Sequence, residues 1–558
     1  MAKVQQKASK TSVKKAPKNT PQSPAVRRKA ARRRELRKVT GVECRVEKRV
    51  IPTYGIGESP TTPIFYEGRA NQGAQGHVYP YPLQDTLNDV RTDREWTCIV
   101  LENEHLYFEI LPELGGRLYR AVDKHTGYDF FYRQEVIKPA LIGVLGAWMS
   151  GGVEWNFPHH HRTTTFMPVE WSISEDEDRD DDLSGWTVTI RETDRRSLLT
   201  SEVELHLDPD ASFLEVGLQF FNASALPQSF LYWSNAAVHA NEQYQVIFPP
   251  DAYYAIHHAK DAACSWPVFT GDYKGIHFDH TDLSWWKNHP APASFFCGRS
   301  DLDFFGGYDH GQDAGTVIWA DHHVANGKKF FLWGNNERAR VWDQTLTDDN
   351  GPYLELMAGV FSDNQPDYTW LQPGELKEAT QYFYPVRGLH GGIKAASTLA
   401  ALNVVYPQPD GEAICYFNVN VPFKSVKIVC ERTDGSKEET SVCLKKLKPG
   451  KAYSCTLPIR QSDDVRLTIW ELDAEDDCIQ VLQYHQCVYP ERPMPTLTVP
   501  PDKPETFSTV EQLYYAGQRL EQFHNPILAC EPYYEEALRR DPGDYRTNLA
   551  VGVRLAKR

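Results

Sequence analysis

Trp96-Thr-Cys-Ile-Val-Leu-Glu-Asn-Glu-His-Leu-Tyr-Phe-Glu-Ile110 is the stretch that decides the fold class. Ile99 and Leu101, then Leu106, Phe108 and Ile110, fall on one face at a spacing of two, the period of an extended strand and not of a helix. Pro112, Gly115 and Gly116 interrupt the pattern, and Leu118 to Val122 resumes it. Asp123-Lys-His-Thr-Gly127 then has the composition of a turn into Tyr128–Tyr132. Working outward, the same alternation predicts strands at 186–191, 201–207, 212–221, 228–234, 244–248, 315–320, 329–333, 353–357 and 378–384. Long amphipathic helical patterns are missing between residues 41 and 390. The expected architecture is therefore mainly β, a large antiparallel β-sandwich, rather than a parallel α/β sheet.

Further on, residues 391–408 mark a boundary, with Pro407 and Pro409. Short strands return at Ala413–Val419, Ser425–Cys430, Ala452–Leu457, Val465–Leu472 and Ile479–Tyr484, which predicts a second, small β-sandwich over 400–490. Six prolines between 489 and 506 make a linker, placed at 491–506. The character then changes over 507–558. Ser508-Thr-Val-Glu511 fits a capping box that opens a helix through Leu513, Tyr514, Ala516 and Leu520. Pro532 suits the first turn of a second helix, and Asp541-Pro-Gly-Asp544 stops it and starts a third.

Length and composition agree with several domains: 558 residues, 41% hydrophobic, 24% charged and 12% aromatic. No apolar run reaches the roughly 18 residues of a membrane span. Charge is divided. Residues 1–40 hold 14 Lys and Arg against Glu35, a net of +13, while the remainder carries −28. The basic arm lacks large apolar residues and is expected to stay disordered, with a basic helix at Arg27–Arg37 as a variant reading. An acidic body repels phosphates, so nucleic acid is an expected partner only for the arm. No apolar segment follows the first basic residues, so a cytoplasmic location is expected. The 11 cysteines show no CxxC or zinc spacing, and those between Cys415 and Cys487 are expected to act as small buried hydrophobes.

Candidate chemistry concentrates in two places. Tyr353-Leu-Glu-Leu-Met357 places Leu354 and Leu356 on one strand face and Glu355 on the other, behind Gly351-Pro352. A carboxyl there can line a pocket, where partial burial raises its pKa and suits it to proton transfer. Gly151-Gly-Val-Glu-Trp-Asn-Phe-Pro158 offers Glu154 as a second carboxylate, with an ion pair to Arg117 or Arg162 as its plain structural alternative. Asp343 and Asp349 are alternates. Of Trp233, Trp285, Trp286, Trp333 and Trp342, which could supply stacking platforms, Trp233 and Trp342 are chosen because Asn235 and Arg340 lie beside them. His159-His-His161 raises a metal reading. Adjacent strand residues point to opposite faces, so only His159 and His161 could share an ion, and the expectation is no metal and no cofactor. Asp176–Asp182 lacks the glycine and terminal Glu of an EF-hand and reads as a solvated loop.

Leu354-Glu355, Asn364-Gln-Pro-Asp367, Leu371-Gln-Pro-Gly-Glu375 and Tyr382-Phe-Tyr384 resemble the closing segment of the aldose 1-epimerases, the sugar mutarotases. Ile110-Leu-Pro-Glu-Leu-Gly-Gly-Arg117 resembles their opening strands. The stretch 151–158 with His159 and His160 resembles a bacterial domain family of unknown function in the galactose-mutarotase-like superfamily. Tyr534-Glu-Glu-Ala-Leu-Arg-Arg-Asp-Pro542 resembles part of a tetratricopeptide repeat. The pattern breaks off at Arg558, from which a longer natural repeat protein is expected. The resemblance implies a β-supersandwich over 41–390 and a sugar ligand, monosaccharide or oligosaccharide. It implies Glu355 as catalytic base and protein partners for the helices. The histidine that serves as acid in the mutarotases has no match in Ser229-Phe-Leu-Tyr-Trp-Ser-Asn235, and His239 or His160 is the expected replacement. The favoured reading is a glycoside hydrolase using Glu355 and Glu154, since such enzymes need two carboxyl groups across the scissile bond. A carbohydrate-binding module without catalysis and a sugar epimerase are the alternatives. His159, His160, Trp155, Trp233, Asn235, Arg340, Trp342, Asp343 and Arg117 are the expected substrate-binding residues.

Overall fold

The computed structural model describes residues 39–65, 67–71, 74–176, 184–365, 367–408, 411–433, 439–472, 478–522 and 528–557. The readings of residues 1–38, including the helix at Arg27–Arg37, and of the acidic loop 177–182 lie outside the described residues.

Two antiparallel sheets make the larger body. One has twelve strands. From one edge its order runs Glu43–Ile56, Leu87–Glu102, Leu106–Leu111, Arg117–Asp123, Val153–Asn156, Tyr232–His239, Tyr353–Val360, Gly327–Leu332, Ala293–Cys297, Tyr254–Ile256 and Ala263–Ser265, with Tyr128–Asp129 beside Arg117–Asp123. The other has eight strands, with Leu199–Leu207, Leu214–Asn222 and Leu376–Arg387 near its centre. Ile99, Leu101, Phe108, Val153, Ala236, Leu354 and Leu356 of the first sheet share one apolar core with Val188, Val203, Leu205, Val216, Leu218 and Phe383 of the second. These are the inward positions of the alternation, so burial follows the period of two seen in the sequence. At roughly 25 cal/mol per Å² of apolar surface, this core is the main favourable term for the body.

The stretch expected as one strand at 228–234 is divided. Gln228–Phe230 pairs with Thr369–Leu371, whereas Tyr232–His239 enters the middle of the twelve-stranded sheet. Leu231 N–H donates to the carbonyl of Pro158 at the break. A continuous run of apolar and aromatic side chains does not reveal such a change of partner.

Residues 395–486 form two four-stranded sheets around a separate core of Leu402, Val404, Phe417, Val426, Ile428, Leu467 and Ile469. Tyr384 and Val386 of the eight-stranded sheet pack with Leu389, Ile393 and Ala401 and join this unit to the larger body. Its cysteines only partly follow expectation. Cys415 and Cys430 are buried, but Cys443 and Cys478 are exposed because they occupy outward strand positions. Three helices follow, Val510–Gln522, Glu531–Arg540 and Tyr545–Lys557. The first is capped one residue later than the sequence reading placed it. Thr509 Oγ1 accepts from Gln512 N–H and Gln512 Oε1 accepts from Thr509 N–H, both at 3.2 Å, so the reciprocal cap is Thr509 with Gln512. Among the described residues no helix is long and apolar enough to cross a membrane.

Candidate functional site

Val153–Asn156, Tyr232–His239, Tyr353–Val360 and Gly327–Leu332 are consecutive neighbours in the twelve-stranded sheet. Their register sets Glu154 opposite Asn235, Ala237 opposite Glu355, and Glu355 opposite Phe331. Val153, Ala236, Leu354, Leu356 and Phe330 point into the core. Glu154, Asn235, Glu355, Lys329 and Phe331 therefore project together from the outer face. A cavity of about 340 Å³, counted out to its open mouth, opens beside Glu355, Lys329 and Phe331. Trp148, Phe331 and Trp333 wall it, Glu355 and Lys329 rise from the sheet, and His160, His161 and His258 enter from loops.

The approach to Glu154 depends on two glycines. Gly151 and Gly152 have φ of +95° and +63°, in the left-handed region. A β-carbon on Gly152 would stand 2.1 Å from the carbonyl oxygen of Leu118. The pair thus lets the chain turn hard against the strand Arg117–Asp123 and deliver Glu154 to the outer face.

Glu154 is held rather than free. Its Oε2 accepts from Trp148 Nε1–H at 2.9 Å, lies 2.9 Å from His161 Nδ1, and is 3.8 Å from Arg117 Nη2. Burial opposes ionisation, but His161, Arg117 and the indole outweigh it and hold the carboxyl down at about 2. Arg117 is anchored in turn by donating to the carbonyl of Gly151 at 2.8 Å and to Thr165 Oγ1 at 3.1 Å. Arg162, the other expected partner, binds Glu192 instead.

Glu355 differs from Glu154. It is buried, and burial and the nearby Glu154 charge raise its pKa, while His161, Lys329 and a hydrogen bond from Asn235 act the other way. Tyr353 O–H donates to its Oε1 at 3.3 Å. Two carboxyl groups on adjacent parts of one face are thus pushed in opposite directions, which is how a site separates a permanent charge from a proton-transfer group.

The three histidines do not alternate as strand residues would. Residues 158–161 form a bend, and the rings of His160 and His161 lie on the same side with centroids 4.1 Å apart. His159 points elsewhere, with Nε2 3.1 Å from Arg196 Nη2, so His159 and His161 do not converge on a shared ion. Burial pushes the pKa values of His160 and His258 well below the ordinary range, helped at His160 by the charges of His161, Lys329 and His258 and at His258 by those of Lys329 and His257. Glu154 Oε1, Asn235 Oδ1, His160 Nδ1 and His258 Nε2 are buried without a hydrogen-bond partner among the described residues. Each such atom costs about 1–3 kcal/mol when left unmet.

The structure brings Glu355, Glu154, Asn235, His160 and Arg117 together and places the other expected site residues apart. His239 packs edge-on against the ring of Tyr132, centroids 4.7 Å apart, and does not line the cavity. Trp155 faces the core, where Nε1–H donates to the carbonyl of Gly116. Trp233 lies flat over the cross-strand pair Gly327 and Gly359, whose missing β-carbons make room for its ring, and packs on Phe296. Arg340, Trp342 and Asp343 lie on the helix Glu337–Leu346, which the strand reading did not foresee; Asn336 caps it by accepting from Ala339 N–H. Arg340 is exposed, and Trp342 does not line the cavity but stacks on Trp333, which does, at 4.2 Å.

Lys329, His161, His258, Trp148, Phe331 and Trp333 complete the cavity. Lys329 had a readable signal, a lysine on the outward face of the strand next to Glu355. Trp333 stood among the candidate platforms but was passed over. His258 had no signal, because it comes from a turn 71 residues before Lys329.

A family model described as a domain of unknown function (DUF5107) matches residues 74–386. A TPR-domain containing protein from Parabacteroides distasonis ATCC 8503 is 25% identical with a TM-score of 0.53, over 62% of this chain and 56% of that one. The chain thus spans little more than half the length of this relative. A galactose mutarotase-like protein from Clostridium acetobutylicum is 12% identical with a TM-score of 0.36, over 52% of this chain and 96% of that one. Another from Lactobacillus casei ATCC 334 is 12% identical with a TM-score of 0.34, over 52% and 100%.

Proposed function

The chain belongs to the DUF5107 family, and from that premise we propose that its larger β body binds a reducing sugar and moves protons at the sugar's anomeric centre, as an aldose 1-epimerase does. The observation that carries this reading is the cavity itself. Aromatic walls from Trp148 and Trp333 suit the C–H faces of a sugar ring, and the cluster of buried, unmet polar atoms around them suits its hydroxyls.

In this reading Glu355, as carboxylate, takes the proton from the anomeric hydroxyl, and its raised pKa makes it a competent base. His161 gives a proton to the ring oxygen through Nε2, since Nδ1 is engaged by Glu154. The bond between C1 and the ring oxygen then breaks, and the open-chain aldehyde recloses on either face. Glu154 does not touch substrate in this scheme; it is a positioning residue that fixes the His161 ring. The hydrolase reading asks Glu154 to be acid, base or nucleophile. A carboxylate pinned by Trp148, His161 and Arg117 behind the cavity wall serves that role less well. We also read the three C-terminal helices as tetratricopeptide-type helices, with Gly517 against the ring of Tyr534 as the close helix contact, and as a surface for a protein partner.

Polarimetry and NMR on freshly dissolved aldoses test the proposal. The expected result is faster anomer interconversion by the full chain and a loss of at least about a hundredfold in Glu355→Gln. A panel of pentoses and hexoses that neither binds nor interconverts faster than in buffer would overturn it.

A further inference from the structure

A buried amine that lines the cavity takes no part in these proton transfers. Lys329 is 2% exposed. It stands on the outward face two residues before Phe331, which lies directly opposite Glu355, so its amine and that carboxyl line the same cavity. Lys329 Nζ donates to Gln365 Oε1 at 2.8 Å, a neutral acceptor, and lies 5.0 Å from the ring centre of Phe296. Its neighbour Lys328 makes the contrast. Also buried, Lys328 has the carboxylates of Asp251, Asp301 and Asp303 in its field, whereas Lys329 has Glu355.

We infer that Lys329 is a nucleophilic amine that captures the open-chain carbonyl form of the bound sugar as an imine; this rests on the reading of the cavity as a reducing-sugar site. Ring opening delivers an aldehyde carbon into the space that Nζ and Glu355 share. The Nζ lone pair forms a bond to C1 as the carbonyl π pair moves to oxygen, and one proton passes from the now positive nitrogen to that oxygen to give a carbinolamine. The hydroxyl then leaves as water with a proton from the Glu355 carboxyl, and nitrogen returns a proton to the Glu355 carboxylate. The sum is amine plus aldehyde giving imine plus one water, with nothing oxidised or reduced, and hydrolysis reverses it. A lysine without its proton is needed for the first step. Burial supplies this condition by lowering the amine's pKa to about 7 against the opposing pull of Glu355.

Reductive trapping tests the inference on the full chain. Protein at neutral pH is incubated with glucose, galactose or glyceraldehyde and cyanoborohydride, then measured by intact mass and peptide mapping. The expected result is a first adduct on Lys329, formed at least about tenfold faster than on any other lysine because a larger share of this amine is neutral. The adduct is absent from Lys329→Met and slowed in Glu355→Gln. Should Lys329→Met fail to fold, mapping of the wild-type adduct and the Lys329→Arg variant serve instead. Scattered labelling of surface lysines at equal rates, with sugar binding still detected by saturation-transfer NMR, would overturn the role of Lys329 and leave the sugar reading standing. Loss of both binding and labelling would overturn both.

Discussion

Replacing Glu154 with glutamine removes one negative charge from a site where Arg117 is buried and cannot reach water. The carboxyl sits at about 2 in the folded protein against an ordinary 4.5. The difference, converted at about 1.4 kcal/mol per pH unit, is about 3 kcal/mol of stability supplied by ionised Glu154. Removing one partner of a buried ion pair costs about 3–5 kcal/mol in general, which agrees. Between the two pKa values the unfolded chain binds more protons than the folded one. The contribution is therefore complete above pH 4.5 and is lost as pH falls toward 2, reaching about 1.4 kcal/mol at pH 3. Guanidinium unfolding of wild type and Glu154→Gln, with hydrogen exchange of peptides spanning 146–165 as a local readout, measures this at pH 7 and pH 3. The double variant Glu154→Gln/Arg117→Met should recover part of the loss, because the stranded cation is gone. A deficit under about 1 kcal/mol at pH 7, or one that does not shrink at pH 3, would refute the assignment of Glu154 as a structural anion.

Other outcomes follow from the same geometry. The charge of Lys329 lowers the pKa of Glu355, so Lys329→Met should move the acid limb of the pH–rate profile for sugar interconversion to higher pH, and a shift to lower pH would contradict the coupling. His161→Gln should cut interconversion about a hundredfold while His239→Ala changes it by less than about twofold, measured by polarimetry. Trp333→Ala should weaken monosaccharide binding about tenfold in calorimetry, the order of one lost stacking contact. Gly152→Ala should lower the melting temperature and abolish binding together, since its β-carbon meets the Leu118 carbonyl.

Much of the scaffold was legible because a strand repeats every two residues, and that period is local. Ala413–Val419, Ala452–Leu457 and Val465–Leu472 occur at the residues the alternation marked. Glu355 was legible for the same reason: an acid between Leu354 and Leu356 has to leave the core face. The period does not say which strands become neighbours. His239 and Asn235 sit on the same outward face of one strand and looked equivalent. The register put Asn235 opposite Glu154 and within reach of Glu355, and His239 opposite Tyr353 beneath Tyr132. The tryptophans followed a related logic, since an indole is a core residue or a pocket wall according to what faces it. Trp233 found two glycines, and Trp333 found an opening.

The amino-acid sequence by itself determined the elements, their faces and the acid that leaves the core, since these depend on side-chain chemistry and neighbours a few residues away. Tertiary structure alone decided the company that acid keeps. His161, His258 and Lys329 meet Glu355 because backbone hydrogen bonds across the sheet, and loops folded over it, bring distant segments within a few ångströms. Burial in that shared space then settles which groups hold their protons.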